Sequence, residues 1–190
     1  AHNNITVGLV EAGVGVVPSG GGVKETYLRW YEATNDWNEA AWQTWMQIGY
    51  GKTGSSPQLA ARLQYFRTGH DKSVMSRDRL MSAALAEMAV LQQGYQAPTE
   101  PQVRLADHAL ITKMESFMSE GVARGEFFDH DKTVAMQIAT IIVSDQGQAQ
   151  ESDEQALYDR ERRAFLMLAK TEKTGLRINA MLNGQGALRN

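Results

Sequence analysis

The chain has 190 residues, of which 43% are hydrophobic, so it can form one ordinary domain or a large part of one, and it is not a disordered tail. Nineteen basic and 22 acidic residues leave a net charge of −3, which gives no basic field to hold a nucleic-acid backbone. The chain has no cysteine, which excludes disulfides and thiolate sites and fits a reducing cytoplasm, where we expect the protein. No apolar run approaches the roughly 20 residues that cross a bilayer, so we expect no membrane span.

The first element in chain order is an apolar segment, Ile5–Val17, that is interrupted by Gly8, Gly13 and Gly15. Its apolar residues are large or β-branched, which favours a short buried strand and a tight loop over a helix. The run Pro18–Gly22 then breaks the segment.

From Val23 onward the pattern predicts helices, about seven of them. Three predicted helix starts carry capping residues: Asp36 with Glu39, Ser56 with Pro57, and Ser152 with Gln155. Three sets of apolar residues recur at helical spacing and each needs a packing partner: Leu80, Ala84, Met88 and Leu91; Leu110, Met114, Phe117 and Met118; and Val134, Ile138, Ile141 and Ile142. The sequence therefore predicts a mainly α protein with a short N-terminal strand and loop.

The large aromatic residues are expected in the core. Trp37, Trp42 and Trp45 lie close together in the sequence, and rings of this size contribute mainly buried area. We therefore interpret them as packing residues and not as a cofactor site.

One carboxylate, Glu11, lies among apolar and glycine residues in the stretch Val7–Gly22. A poorly solvated carboxylate in such a place could exchange a proton with a substrate near neutral pH. The residues alone leave a second interpretation open, in which Glu11 is a surface glutamate at the end of a strand.

The stretch resembles the signature of the crotonase (enoyl-CoA hydratase/isomerase) family. In that signature a strand ending Gly-Leu-x-Glu leads into a Gly-x-x-Pro-x-x-Gly-Gly loop and a helix. The chain is most similar to the hydratase module of bacterial bifunctional enzymes that also carry a 3-hydroxyacyl-CoA dehydrogenase. Five further points of similarity are Gly22 to Glu25, Asp78-Arg79-Leu80, Gly94-Tyr95, Glu161 to Leu166 and Ala187-Leu188-Arg189-Asn190.

The resemblance implies the C-terminal portion of a crotonase-type α/β (ββα) fold. It implies that residues 1–22 are a remnant of the core and residues 23–190 are the helical C-terminal region. It further implies a fatty-acid β-oxidation enzyme that adds water to a trans-2-enoyl-CoA, with Glu11 as the catalytic proton-exchanging carboxylate. Gly13, Gly15, Pro18, Ser19 and Gly20 would shape the substrate pocket, and the next helix would point its N-terminus inward.

Two departures from the family pattern affect this interpretation. Ser19 stands where many crotonases have glycine after the loop proline, and its side chain could narrow the pocket. The segment that carries the first catalytic glutamate and an oxyanion-hole N–H would lie upstream of Ala1, so we expect this chain alone to be inactive as a hydratase. Its expected partners are an acyl-CoA thioester, the upstream part of its own chain and further copies of itself. No cofactor is expected here, and NAD would belong to the dehydrogenase part of the parent.

Three other motifs have ordinary interpretations. The run Ser19–Gly22 could hold a phosphate at a helix start, but it lacks the residues of a nucleotide-binding loop. Asp129-His130-Asp131 could suggest a metal site, but consecutive residues at a helix start diverge and Asp131 suits an N-cap, so no metal is expected. The charge-dense segment Glu151–Glu172 is predicted to be one helix with a solvated face. The alternative to the enzyme is a stand-alone helical module for protein interactions.

Overall fold

The computed structural model describes all 190 residues, and 56% of them are helical. This confirms the mainly α prediction. The eight α-helices are α1 (Gly22–Thr34), α2 (Trp37–Gly49), α3 (Pro57–Arg62), α4 (Leu80–Leu91), α5 (Ala109–Ala123), α6 (Asp129–Ile142), α7 (Glu154–Ala169) and α8 (Glu172–Leu182). The segment predicted as one helix at Glu151–Glu172 is helical only over Glu154–Ala169, and it does not continue into α8 because Thr171 is the N-cap of α8, where its hydroxyl accepts the Thr174 N–H. No helix in the structure combines the length and the apolar character needed to cross a membrane.

Four short strands form two antiparallel pairs. Strand β1 (Val7–Gly8) pairs with β2 (Thr53–Gly54), and β3 (Val103–Leu105) pairs with β4 (Gln150–Ser152). The strand predicted near the N-terminus is therefore only two residues long. The second pair was not predicted, because three-residue strands leave no readable alternation in a sequence.

The helix starts follow local chemistry, with two corrections. Asp36 caps α2 by accepting the Asn38 and Glu39 N–H groups at 2.8 and 3.1 Å, and Ser56 caps α3 through the Leu59 N–H. Ser152 does not cap α7, because it belongs to β4. Asp153 takes that role and accepts the Ala156 N–H at 2.7 Å. Asp131 lies inside the first turn of α6 and accepts the Phe128 N–H at 2.9 Å, so it is not itself the N-cap residue.

The chain divides into two compact units. The first consists of residues 1–8 and 53–100, and the second of residues 9–52 and 101–190. The sequence analysis divided the chain after Gly22 into a core remnant and a helical region of a larger module. That division stays a prediction.

The second unit has a continuous apolar core, in which two of the predicted faces are confirmed. On α5, Met114 and Met118 are buried, and Leu110 and Phe117 pack against the core. On α6, four residues are no more than 2% exposed: Val134, Ile138, Ile141 and Ile142. Trp45 on α2 is 2% exposed and donates its indole N–H to the Ala135 carbonyl, so its predicted packing role is also confirmed. Burying a side chain of this kind contributes about 1.5–3 kcal/mol.

The first unit contains helix α4, whose predicted packing is wrong for this chain. The face of Leu80, Ala84, Met88 and Leu91 was expected to be covered, but no residue of α4 is buried. Met81, at 71% exposed, and Leu85, at 53%, lie on the same short helix. The helical spacing of its apolar residues thus predicted the helix correctly, but it did not predict whether the helix packs into a core.

Candidate functional site

Glu11 begins a single 3₁₀ turn, Glu11–Val14, in the second unit. Backbone hydrogen bonds close the turn: the Gly13 N–H donates to the Val10 carbonyl at 3.0 Å, and the Val16 N–H donates to the Glu11 carbonyl at 3.2 Å. The turn ends at Gly15, whose φ of 90° is left-handed. The backbone is therefore fixed without any use of the Glu11 carboxylate.

The Glu11 carboxylate has an unusual environment. Its Oε2 atom is buried and accepts no hydrogen bond. A buried polar atom without a partner costs about 1–3 kcal/mol, and such exceptions in native structures call for an explanation, a catalytic role among them. This observation favours the functional interpretation of Glu11 over that of a solvated surface glutamate.

A cavity of about 410 Å³ adjoins the same turn. The turn contributes Val10, Ala12 and Gly13 to its lining, and Trp45 and Phe117 are among the aromatic residues of the opposite walls. The volume falls in the range of small-molecule sites. Glu11 does not line the cavity. A 3₁₀ helix has three residues per turn, so Val10 and Gly13 share a side that differs from that of Glu11.

The polar end of the cavity contains a buried arginine. Arg177 on α8 is 2% exposed and lines the cavity together with Asp131. Its Nη2 donates to Asp131 Oδ1 at 2.8 Å, and its Nε donates to Asn190 Oδ1 at 2.9 Å. Asp131 therefore balances the buried charge, as a buried cation requires.

Hydrogen bonds from buried polar side chains of α6 and α8 hold the end of the Glu11 turn. The Thr174 hydroxyl donates to the Gly15 carbonyl at 2.7 Å, and His130 Nε2 lies 2.9 Å from the same hydroxyl oxygen. Because the one Thr174 proton goes to Gly15, His130 Nε2 is assigned as the donor to Thr174. Burial lowers the pKa of His130, and the positive charges of Arg177 and Lys173 lower it further.

The structure brings only part of the predicted pocket set together. Glu11, Gly13 and Gly15 share one turn, and Gly13 lines the cavity. Pro18 is buried against Gly22, where an added Cβ would lie 2.6 Å from the proline ring. Ser19 and Gly20 are exposed and do not line the cavity. The pocket roles of these residues and the effect of Ser19 stay predictions.

The N-terminus of α1 meets a carboxylate of the chain itself. Glu161 on α7 is 0% exposed and accepts the Gly21 and Lys24 N–H groups at 2.7 and 2.6 Å. Burial raises the pKa of Glu161, and these backbone donors act against that shift. The glycine run before α1 was weighed as a phosphate site, but Glu161 already satisfies these two N–H groups.

The three consecutive residues at the start of α6 diverge, as expected. Asp131 reaches Arg177, whereas His130 reaches Thr174. Sequence reasoning missed Thr174 and Arg177, and it weighed His130 only as part of a metal cluster and not as a partner of Thr174. Thr174, Arg177 and Ala180 are buried at a spacing of three residues on α8, but a lone arginine in such a stripe cannot be told from a solvated one by spacing alone.

Comparison with known proteins shows similarity to a dehydrogenase. The chain is 29% identical over 191 residues to a protein of Bacillus subtilis (strain 168) described as "Probable 3-hydroxyacyl-CoA dehydrogenase". The match covers 100% of this chain and 24% of the relative, so the chain spans about a quarter of that protein's length. The sequence matches no protein-family model, and it matches no solved structure.

Proposed function

We propose that this chain is part of a fatty-acid β-oxidation enzyme in which Glu11 exchanges the α-proton of an acyl-CoA thioester. The observation that carries the proposal is the buried Oε2 of Glu11, which has no hydrogen-bond partner and lies on a turn with fixed backbone. The similarity to a 3-hydroxyacyl-CoA dehydrogenase supports the metabolic context. The finer assignment to the hydratase module rests on the resemblance of Val7–Gly22 to the crotonase signature.

The proposed reaction is the addition of water to the double bond of a trans-2-enoyl-CoA. The water oxygen bonds to C3 and loses a proton to a second carboxylate, while Glu11 delivers a proton to C2. Two N–H groups would stabilise the negative charge that develops on the thioester oxygen. The second carboxylate and the oxyanion donors are proposed to lie in the rest of the parent protein.

The dehydrogenase step is assigned to another part of the parent. A nicotinamide dinucleotide usually binds at the edge of a parallel sheet, where a glycine-rich turn leads into a helix. The strands of this chain instead form two antiparallel pairs of two or three residues each. The residues present therefore do not fit NAD.

The test compares variants of a longer protein that joins this segment to the rest of the hydratase module. Hydration of crotonyl-CoA is followed by the loss of the absorbance of its conjugated thioester. We expect Glu11→Gln to lower kcat by about 10²-fold or more, because positioned proton transfer contributes 10²–10⁴-fold. Glu39→Gln removes an exposed carboxylate on α2 and is the matched control.

A longer protein without hydratase activity, or one in which Glu11→Gln and Glu39→Gln behave alike, would contradict the proposal. The first result would favour the alternative of a helical interaction module. Homo-oligomer formation stays a prediction, which sedimentation of the purified chain tests directly.

A further inference from the structure

The cavity beside the Glu11 turn has walls suited to a hydrocarbon. Four aromatic side chains line it, from α2 and its C-cap, α5 and the α5–α6 connection: Trp45, Tyr50, Phe117 and Phe127. Phe117 packs edge-on against Trp45, with ring centroids 5.6 Å apart, so these walls support each other. Met118 and Val134 add aliphatic surface. Mostly apolar walls with a few polar groups are typical of small-molecule sites.

The charged groups that line the cavity are balanced except at one position. Arg177 is paired with Asp131, and Glu126 is paired with Arg124 through two bonds of 3.0 Å. Arg189 is exposed, lines the cavity and makes no ion pair. The rim therefore offers a free positive charge to a ligand with a negative group.

The rim is open to solvent. Val10 is 55% exposed and Tyr50 is 51% exposed, and both line the cavity. Gly49 lies beside them at the end of α2, and a Cβ added to it would meet no atom within 4 Å. A ligand could enter here without displacing a side chain of the core.

We propose that this cavity binds the hydrocarbon chain of a fatty acyl compound, with the anionic part of the ligand near Arg189. The inference rests on the proposed function for the choice of an acyl ligand, whereas the site itself rests on the cavity. A methylene group takes up roughly the 30 Å³ share of a water molecule, so the cavity holds at most about a dozen carbons. The bound hydrocarbon chain belongs either to an acyl-CoA or to a free fatty acid.

The test is calorimetric titration of the 190-residue protein with saturated acyl-CoA thioesters of 4, 8, 12 and 16 carbons, with coenzyme A and with dodecanoate. Saturated chains cannot be hydrated, so only binding is measured. We expect Kd to fall about fourfold per added methylene and to level off near 12 carbons. Coenzyme A without an acyl chain should bind far more weakly. If the 12-carbon acyl-CoA binds more strongly than dodecanoate, the ligand is an acyl-CoA. If dodecanoate binds equally well and Arg189→Gln weakens its binding, the ligand is a free fatty acid.

Gly49→Phe places a ring in the rim and should weaken binding at least tenfold. Gly175→Phe is the matched control, because Gly175 is a helical glycine with equally open space that does not line the cavity. Affinity that is independent of chain length, or equal effects of the two variants, would overturn the proposal.

Glu11→Gln should bind like the unaltered chain, so loss of hydration without loss of binding separates this site from the proposed reaction. If binding follows the prediction but Glu11→Gln keeps full hydratase activity in the longer protein, the proposed function fails and the cavity site stands.

Discussion

The two compact units use apolar residues in opposite ways. In the second unit, α6 buries seven of its residues, and six of these belong to the shared apolar core. In the first unit, α4 is richer in apolar residues along its length but buries none. Helical periodicity therefore predicts where a helix forms, whereas the existence of a core depends on which helix faces meet.

The largest expected difference between the units comes from matched truncations. Ile138→Ala removes a side chain that is 0% exposed and should lower the free energy of unfolding by about 3 kcal/mol. Met81→Ala removes an exposed side chain of α4 and should change it by no more than about 0.5 kcal/mol. Urea denaturation of both variants measures the difference. Equal losses would show that α4 is covered in solution and would contradict the difference between the two units.

A second pair of variants sharpens the description of the Glu11 turn. Gly15→Ala should cost about 2 kcal/mol, because φ is 90° and the new Cβ would lie 2.7 Å from Thr174 Oγ1. Gly13→Ala in the same turn meets no atom within 4 Å and should cost much less. Thermal unfolding of the two proteins gives the comparison. Similar melting temperatures would argue against the close packing of Thr174 on the turn.

The smallest effect concerns pH and again belongs to the second unit. The folded state lowers the pKa of His130, so the unfolded chain takes up this proton first as the pH falls. The buried, neutral His130 therefore contributes to the free energy of unfolding above about pH 6.5, and this contribution is lost as the pH falls below that value. His130→Gln keeps a hydrogen-bond donor for Thr174. It should lower the slope of the free energy of unfolding against pH by at most about 1.4 kcal/mol per pH unit. Denaturation between pH 5 and 8 tests this, and an unchanged slope would contradict it.

Much of the fold could be predicted from local signals. Asp36 and Ser56 mark helix starts because side-chain oxygens satisfy free N–H groups, and this depends only on neighbours in the sequence. The mainly helical class followed from the same kind of evidence. The pairing of β3 with β4 joins residues more than 40 positions apart, and such short strands give no local signal.

The candidate site could be predicted only in part. Glu11 and Gly13 were singled out because a carboxylate and glycines stand out in an apolar stretch and because that stretch resembles the crotonase signature, and their roles stay predictions. The cavity walls depend on α2, α5 and α8 meeting at one place, which no local pattern records. The role of Glu161 was missed for the same reason: its partners Gly21 and Lys24 lie about 140 residues away.

The most direct test of the central claim, that Glu11 exchanges the α-proton, uses butyryl-CoA in deuterium oxide. This saturated thioester has no double bond to hydrate, so exchange at C2 requires the proton-exchanging carboxylate and not the one that activates water. Nuclear magnetic resonance follows the replacement of the C2 proton by deuterium in the longer protein. We predict exchange with Glu11 present and a loss of at least about 10²-fold with Glu11→Gln. Exchange at the same rate in both proteins would contradict the claim.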